Sequence, residues 1–197
     1  NLEYLEHYQG LKILGIHGHR KNIEVVGKLK NLETLRLNSI SKVPLHFVNE
    51  LKRLKALHFV LGGRENIAEI EENEIETLEI IRVRGFNRFE NLSNFRKLKR
   101  LSIEDQIRLK ELHFKRTLPH LKELKIITCK TLETLSGIEN LTRLTQVRIY
   151  HTAIAFHEFI KNKFPESLDI LAFYTSKIKK DREIKAELEK LGYRDGL

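Results

Sequence analysis

The chain has 197 residues, a formal net charge of +9, 41% hydrophobic and 32% charged residues. That is enough apolar content to bury the core of one domain and too much for a disordered chain. No apolar run approaches the ~20 residues a membrane helix needs, and one cysteine, Cys129, excludes an internal disulfide and a cysteine-rich zinc site.

Along the chain one unit returns, L-x-x-L-x-L with Ile, Val or Phe allowed. It begins at Leu11-x-x-Leu14-x-Ile16, Leu32-x-x-Leu35-x-Leu37, Leu54-x-x-Leu57-x-Phe59 and Ile75-x-x-Leu78-x-Ile80. It continues at Leu98-x-x-Leu101-x-Ile103, Leu121-x-x-Leu124-x-Ile126, Leu144-x-x-Val147-x-Ile149 and Leu168-x-x-Leu171-x-Phe173. The central residues are 21, 22, 21, 23, 23, 23 and 24 apart. A helical solenoid repeats at roughly 33 residues or more, so the spacing argues against one. Alternating apolar residues point to one side of a short strand, and equal spacing stacks the strands in parallel. Each return segment then closes the core with its own apolar residues, as Leu132, Leu135, Ile138 and Leu141 do. No repeat buries its apolar face alone, so stability comes from neighbours.

The return segments are expected to be mostly irregular, with two helical exceptions. Residues 44–53, opening on Pro44, predict a short helix. Phe156, Phe159, Ile160 and Phe164 fit one helix face that Pro165 ends; core packing accounts for that stripe better than a cofactor box. At the start, Leu2, Leu5 and Tyr8 read as the return half of a repeat whose strand is missing. With no Met in the sequence, the chain is expected to be trimmed or part of something longer. Ile184, Leu188 and Leu191 predict a capping helix over 180–191, with Asp181 as N-cap and Gly192 as stop. The expected organisation is therefore repeats over 1–179 and a cap and tail over 180–197, in one structural unit.

With these residues the chain resembles the leucine-rich repeat proteins, in the short-repeat form of bacterial internalins and bacterial intracellular proteins. The match is best at Leu121 to Ile154 (LKELKIITCKTLETLSGIENLTRLTQVRIYHTAI) and at Asn31 to Ile40. Cys129 stands where the family usually carries Asn or Cys, whose side chain bonds the turn. The equivalent positions hold His19, Ile40, Gly62, Val83, Gln106, Thr152 and Ser176, so the regular asparagine ladder is lacking. The resemblance implies an α/β leucine-rich repeat solenoid with about eight parallel strands on a concave face, an irregular or helical convex side and a C-terminal cap. It also implies a cytoplasmic, non-enzymatic module that binds a protein, with a toxin-neutralising or scaffolding role by analogy.

The strand register selects three outward columns. The last of them holds His17, Asn38, Val60, Ile81, Glu104, Ile127, Tyr150 and Tyr174. Val60 with Ile81, and Ile127 with Tyr150 and Tyr174, are apolar on a nominally wet face and become candidate partner anchors. Arg36, His58, Glu79, Glu104, Lys125 and Arg148 surround them and are expected to orient the partner. Glu104 and Glu123 are expected to pair across strands with Arg100 and Lys125.

The basic excess falls largely off this face, at Lys52, Arg53, Lys55, Arg96, Lys97 and Lys99, and near the C-terminus. An acidic partner or nucleic acid at that basic edge is the alternative reading, disfavoured against ordinary solvated charge; a secreted or surface adhesion module is another. No metal or cofactor is expected: His17 and His19 share a strand face, but the next strand offers Asn38 and Ile40 beside them. Cys129 is expected to point inward as a structural thiol, and Gly62-Gly63-Arg64 lacks the pattern of a phosphate loop.

Overall fold

A computed structural model describes residues 1–196. Ten strands form: β1 (Ile13–His17), β2 (Thr34–Asn38), β3 (Ala56–Val60), β4 (Thr77–Ile81), β5 (Arg100–Glu104), β6 (Glu111–His113), β7 (Glu123–Ile127), β8 (Thr134–Ser136), β9 (Gln146–Tyr150) and β10 (Ile170–Tyr174). Eight of them make one parallel sheet in the order β1-β2-β3-β4-β5-β7-β9-β10, and β6 and β8 make a second, two-stranded sheet. The result is a solenoid-like α/β fold with few helices.

The register follows the repeat. Leu14, Leu35, Leu57, Leu78, Leu101, Leu124, Val147 and Leu171 lie directly opposite one another on successive strands. All but Leu14, on the outermost strand, are buried, as are Leu37, Phe59, Ile80, Ile103, Ile126, Ile149 and Phe173 two residues on. Each fully buried side chain of this size contributes ~1.5–3 kcal/mol relative to exposure.

Two local devices repeat with the strands. Before most strands of the large sheet the chain makes a tight turn that returns the first leucine to the sheet: Leu32 N–H donates to Leu29 C=O, Leu54 to Leu51, Leu98 to Phe95, and Leu144 to Leu141, whereas before β4 Ile75 N–H donates to the Asn73 side chain. After the strand, the next residue has a left-handed backbone in seven repeats, at Gly18, Ser39, Leu61, Arg82, Asp105, Thr128 and His151. Each of these donates its N–H to the last strand residue of the following repeat, as Arg82 does to Glu104 C=O at 2.8 Å. The turn leaves the sheet only after one more rung of pairing.

The position two residues past each strand is handled in unlike ways. Cys129 Sγ donates to Ile127 C=O (3.5 Å) and Ile103 C=O (3.8 Å). Gln106, at the equivalent position of another repeat, does the same work: buried, it donates to Glu104 C=O (2.6 Å) and Ile80 C=O (3.1 Å). His19 Nδ1 lies 2.9 Å from His17 C=O. Val83 is instead a buried apolar filler. Gly62 has no side chain because a Cβ there would stand 2.2 Å from Ile40 O. The lost regularity of residue type therefore does not cost the turn its geometry.

The convex side carries 3-10 turns at Glu3–His7, Ile23–Lys28, His46–Glu50, Leu92–Asn94 and Ile138–Asn140. The helix expected over 44–53 is the third of these. The phenylalanine stripe yields only one α turn, α1 (Phe156–Phe159). Asn162 stops it: both its backbone N–H and its side-chain amide donate to Phe159 C=O, 3.1 and 2.7 Å, capping the turn. Phe164 then packs back on Phe159, centroids 5.3 Å apart.

The cap is α2 (Ile178–Lys190), which lays Ile184 and Leu188 on β10. Two details differ from expectation. Leu191 falls beyond the helix and is exposed. Asp181 is not the N-cap; Lys177 holds that position, and the Asp181 carboxylate reaches back to accept from Thr175 N–H (2.7 Å) and Thr175 Oγ1 (2.6 Å). It ties the helix start to the end of β10. Past Gly192 the chain returns to the sheet: Arg194 N–H donates to Asp169 C=O and Leu171 N–H donates to Arg194 C=O, forming a parallel bridge with Ile170.

Candidate functional site

The sheet face opposite the leucine rows carries the three columns in the expected register. The last column runs His17, Asn38, Val60, Ile81, Glu104, Ile127, Tyr150 and Tyr174 across the eight strands. Glu104 separates the Val60–Ile81 pair from the Ile127–Tyr150–Tyr174 run. Tyr150 is 41% exposed, whereas Val60 retains only 9% of its surface and offers a partner little. Ile81, Ile127 and Tyr174 are half-buried. The Tyr150 and Tyr174 rings lie 6.4 Å apart, and Tyr150 also meets the His151 ring at 6.2 Å.

Several of the charged and polar candidates find partners within the molecule. His58 Nδ1 and Glu79 Oε2 are 2.6 Å apart across β3 and β4, both partly buried. Arg100 turns to Thr77 Oγ1 (2.8 Å). Among the described residues it makes no ion pair with Glu123 opposite, nor does Lys125 with Glu104, so the expected cross-strand pairing is absent. Arg36 and Lys125 remain exposed, and Glu104 is half-buried.

The C-terminal tail occupies one end of this face. Arg148 Nε donates to Gly196 C=O (3.0 Å), and Tyr174 Oη donates to Asp195 (2.6 Å). Lys185 of α2 pairs with the same carboxylate at 2.8 Å. Burial and then the Asp195 contact push the Tyr174 hydroxyl well above its ordinary range. Arg148 and Tyr174 are thus clasped by the tail, and their engagement holds the rim of the Tyr150 patch in place. Sequence reasoning missed Asp195 and Gly196 because the tail lacks the leucine pattern; the one trace is that Arg194 lies 24 residues after Ile170, the spacing of the last repeat.

The basic edge is matched in part. Residues just before the strands form a ladder of alternating sign: Lys12 with Glu33 (3.2 Å), and Glu76 between Lys55 (4.0 Å) and Lys99 (2.7 Å). The Lys99 hydrogen bond, first among the causes, holds the Glu76 carboxyl below its usual range. Arg96 pairs with Glu72 and Arg194 with Asp169. Exposed pairs of this kind are worth ~0–1 kcal/mol each; they lower the local positive field along the strand starts, while Lys52, Arg53 and Lys97 make no ion pair among the described residues.

Among the described residues no group of three or more His, Cys, Asp or Glu is placed to hold a metal ion. Cys129 is fully buried, and that burial pushes its thiol up to about 11, far from a reactive thiolate at neutral pH. Among the described residues no helix is long and apolar enough to cross a membrane. No protein-family model and no curated protein sequence matches the chain.

Proposed function

We propose that this chain is a non-enzymatic binding module of the leucine-rich repeat kind, docking a protein partner on its parallel sheet. The observation that carries the reading is the unbroken apolar run Ile127, Tyr150, Tyr174 on three adjacent strands, with Tyr150 standing out from the face. An exposed tyrosine beside a half-buried aliphatic residue combines apolar area with a polar tip, the usual chemistry of an interface anchor. Because the tail holds Tyr174 from behind, part of the patch is ordered before a partner arrives, which lowers the entropic cost of association. Arg36, Lys125 and Glu104 would set the partner's orientation. Scaffolding and neutralisation of a toxic partner both fit such a module. The nucleic-acid alternative is weakened by the charge ladder along the strand starts.

The test joins Tyr150→Ala with Ile127→Asp. Affinity capture from the protein's own cells should recover a partner with the unchanged protein, and the doubly changed protein should lose it while its circular dichroism stays the same. Retention of the same partner by the folded double variant would overturn the reading.

A further inference from the structure

A cleft of about 570 Å³ opens on the return side of the solenoid, between residues 87–94 and 111–118. It arises where the convex surface changes construction. Over the early repeats, return segments are tied by parallel bridges that run from Ser41 through Gly63 to Arg84, and one further bridge joins Asn73 to Phe95. Among the described residues no bridge joins residues 87–94 to β6, which pairs with β8 and so has a strand partner on one side alone.

The phase of that pairing identifies the free groups. Thr134 N–H donates to Lys110 C=O, and Phe114 N–H donates to Ser136 C=O. In a parallel ladder successive residues bond to opposite sides, so the N–H and C=O of Glu111 and His113 point away from β8, toward the cleft. An unpaired strand edge is a template for another extended chain.

The charges choose the chain. Three cations line the cleft, Arg88, Lys115 and Arg116, against two carboxylates, Glu90 and Glu111. Arg88 pairs with Glu90 at 3.4 Å, and Glu111 accepts from or faces His113 Nε2 at 3.0 Å. Among the described residues Lys115 and Arg116 make no ion pair, so the uncompensated charge is positive. Half-buried Phe89 supplies apolar surface in the same wall. The side chains of Asn87 and Asn91, also lining the cleft, each keep a buried acceptor oxygen with no donor among the described residues.

We propose that this cleft binds an acidic peptide segment in extended form, added as a strand to the free edge of β6, with its carboxylates on Lys115 and Arg116 and alternate apolar residues toward Phe89. The site lies on the surface away from the sheet face and is independent of the partner proposed there.

The probe is a fluorescein-labelled hexapeptide of alternating aspartate and valine, followed by fluorescence polarisation with the full chain. Saturable binding is expected, weakened about tenfold or more by Lys115→Glu with Arg116→Glu and unaffected by Tyr150→Ala with Ile127→Asp. Two further peptides, N-methylated on the odd or the even amides, need no change to the protein. One should lose binding at least tenfold and the other should keep it, because only one set of N–H groups faces the edge. No saturable binding overturns the proposal, as does equal binding by the two methylated peptides, a lysine-valine peptide that binds as well, or binding indifferent to charge reversal.

Discussion

Gly62 and Gly85 share a left-handed backbone, φ +78° and +90°, but not the same surroundings. A Cβ at Gly85 would lie 3.6 Å from its nearest neighbour, Arg64 O, an ordinary contact. At Gly62 it would stand 2.2 Å from Ile40 O and 2.9 Å from both Ile40 C and Ile40 N. Alanine at either site carries the left-handed penalty of ~1–2 kcal/mol, offset by up to ~1 kcal/mol from the stiffer unfolded chain. Gly85→Ala should therefore cost about 1 kcal/mol. At Gly62 the Ile40 peptide must also move, which breaks its acceptance of Gly63 N–H (3.3 Å), worth ~1 kcal/mol, and bends backbone angles at a further ~1 kcal/mol or more. Gly62→Ala should cost ~3–4 kcal/mol, about three to four times the loss at Gly85. Urea unfolding followed by circular dichroism measures both, as a fall in midpoint at constant slope. Equal losses at the two sites would refute the close approach of the second and third return turns, and with it the tight stacking of these repeats.

Two further outcomes follow from the side chains that close the solenoid. Gln106→Leu removes both donors from the Glu104 and Ile80 carbonyls and should cost ~1–3 kcal/mol in urea unfolding; an unchanged midpoint would show that this side chain is only filler. Tyr174 has its hydroxyl pKa raised by burial and by Asp195, so its contribution is present below the ordinary tyrosine value of ~10 and is lost as pH rises above it. The melting temperature of the unchanged protein should fall more steeply above pH ~10 than that of Tyr174→Phe. Parallel curves would remove the Tyr174–Asp195 contact from the account of the tail.

The strands, their parallel order and their mutual register were legible in the residues alone. Alternation along a strand is a local property, and eight copies at nearly constant spacing leave one way to align Leu35, Leu57, Leu78 and Leu101. For the same reason the outward columns could be written down, and Tyr150 stands where its column places it. The convex side was less legible. Residues 44–53 and 156–164 have helical spacing, yet each return must descend to the next strand, and Asn162 ends α1 after one turn.

Exposure within the columns, rather than membership of them, was decided by long-range packing. Val60 lies nearly covered among its neighbours, and whether Arg148 and Tyr174 are taken by Gly196 and Asp195 depends on groups that approach only after the cap has folded back, 21 or more residues away. The free edge of β6 arises likewise from a mismatch between neighbouring return segments, each of which reads normally by itself. Periodicity along the chain determines which residues share a face; the contacts between distant segments decide which of those residues remain available.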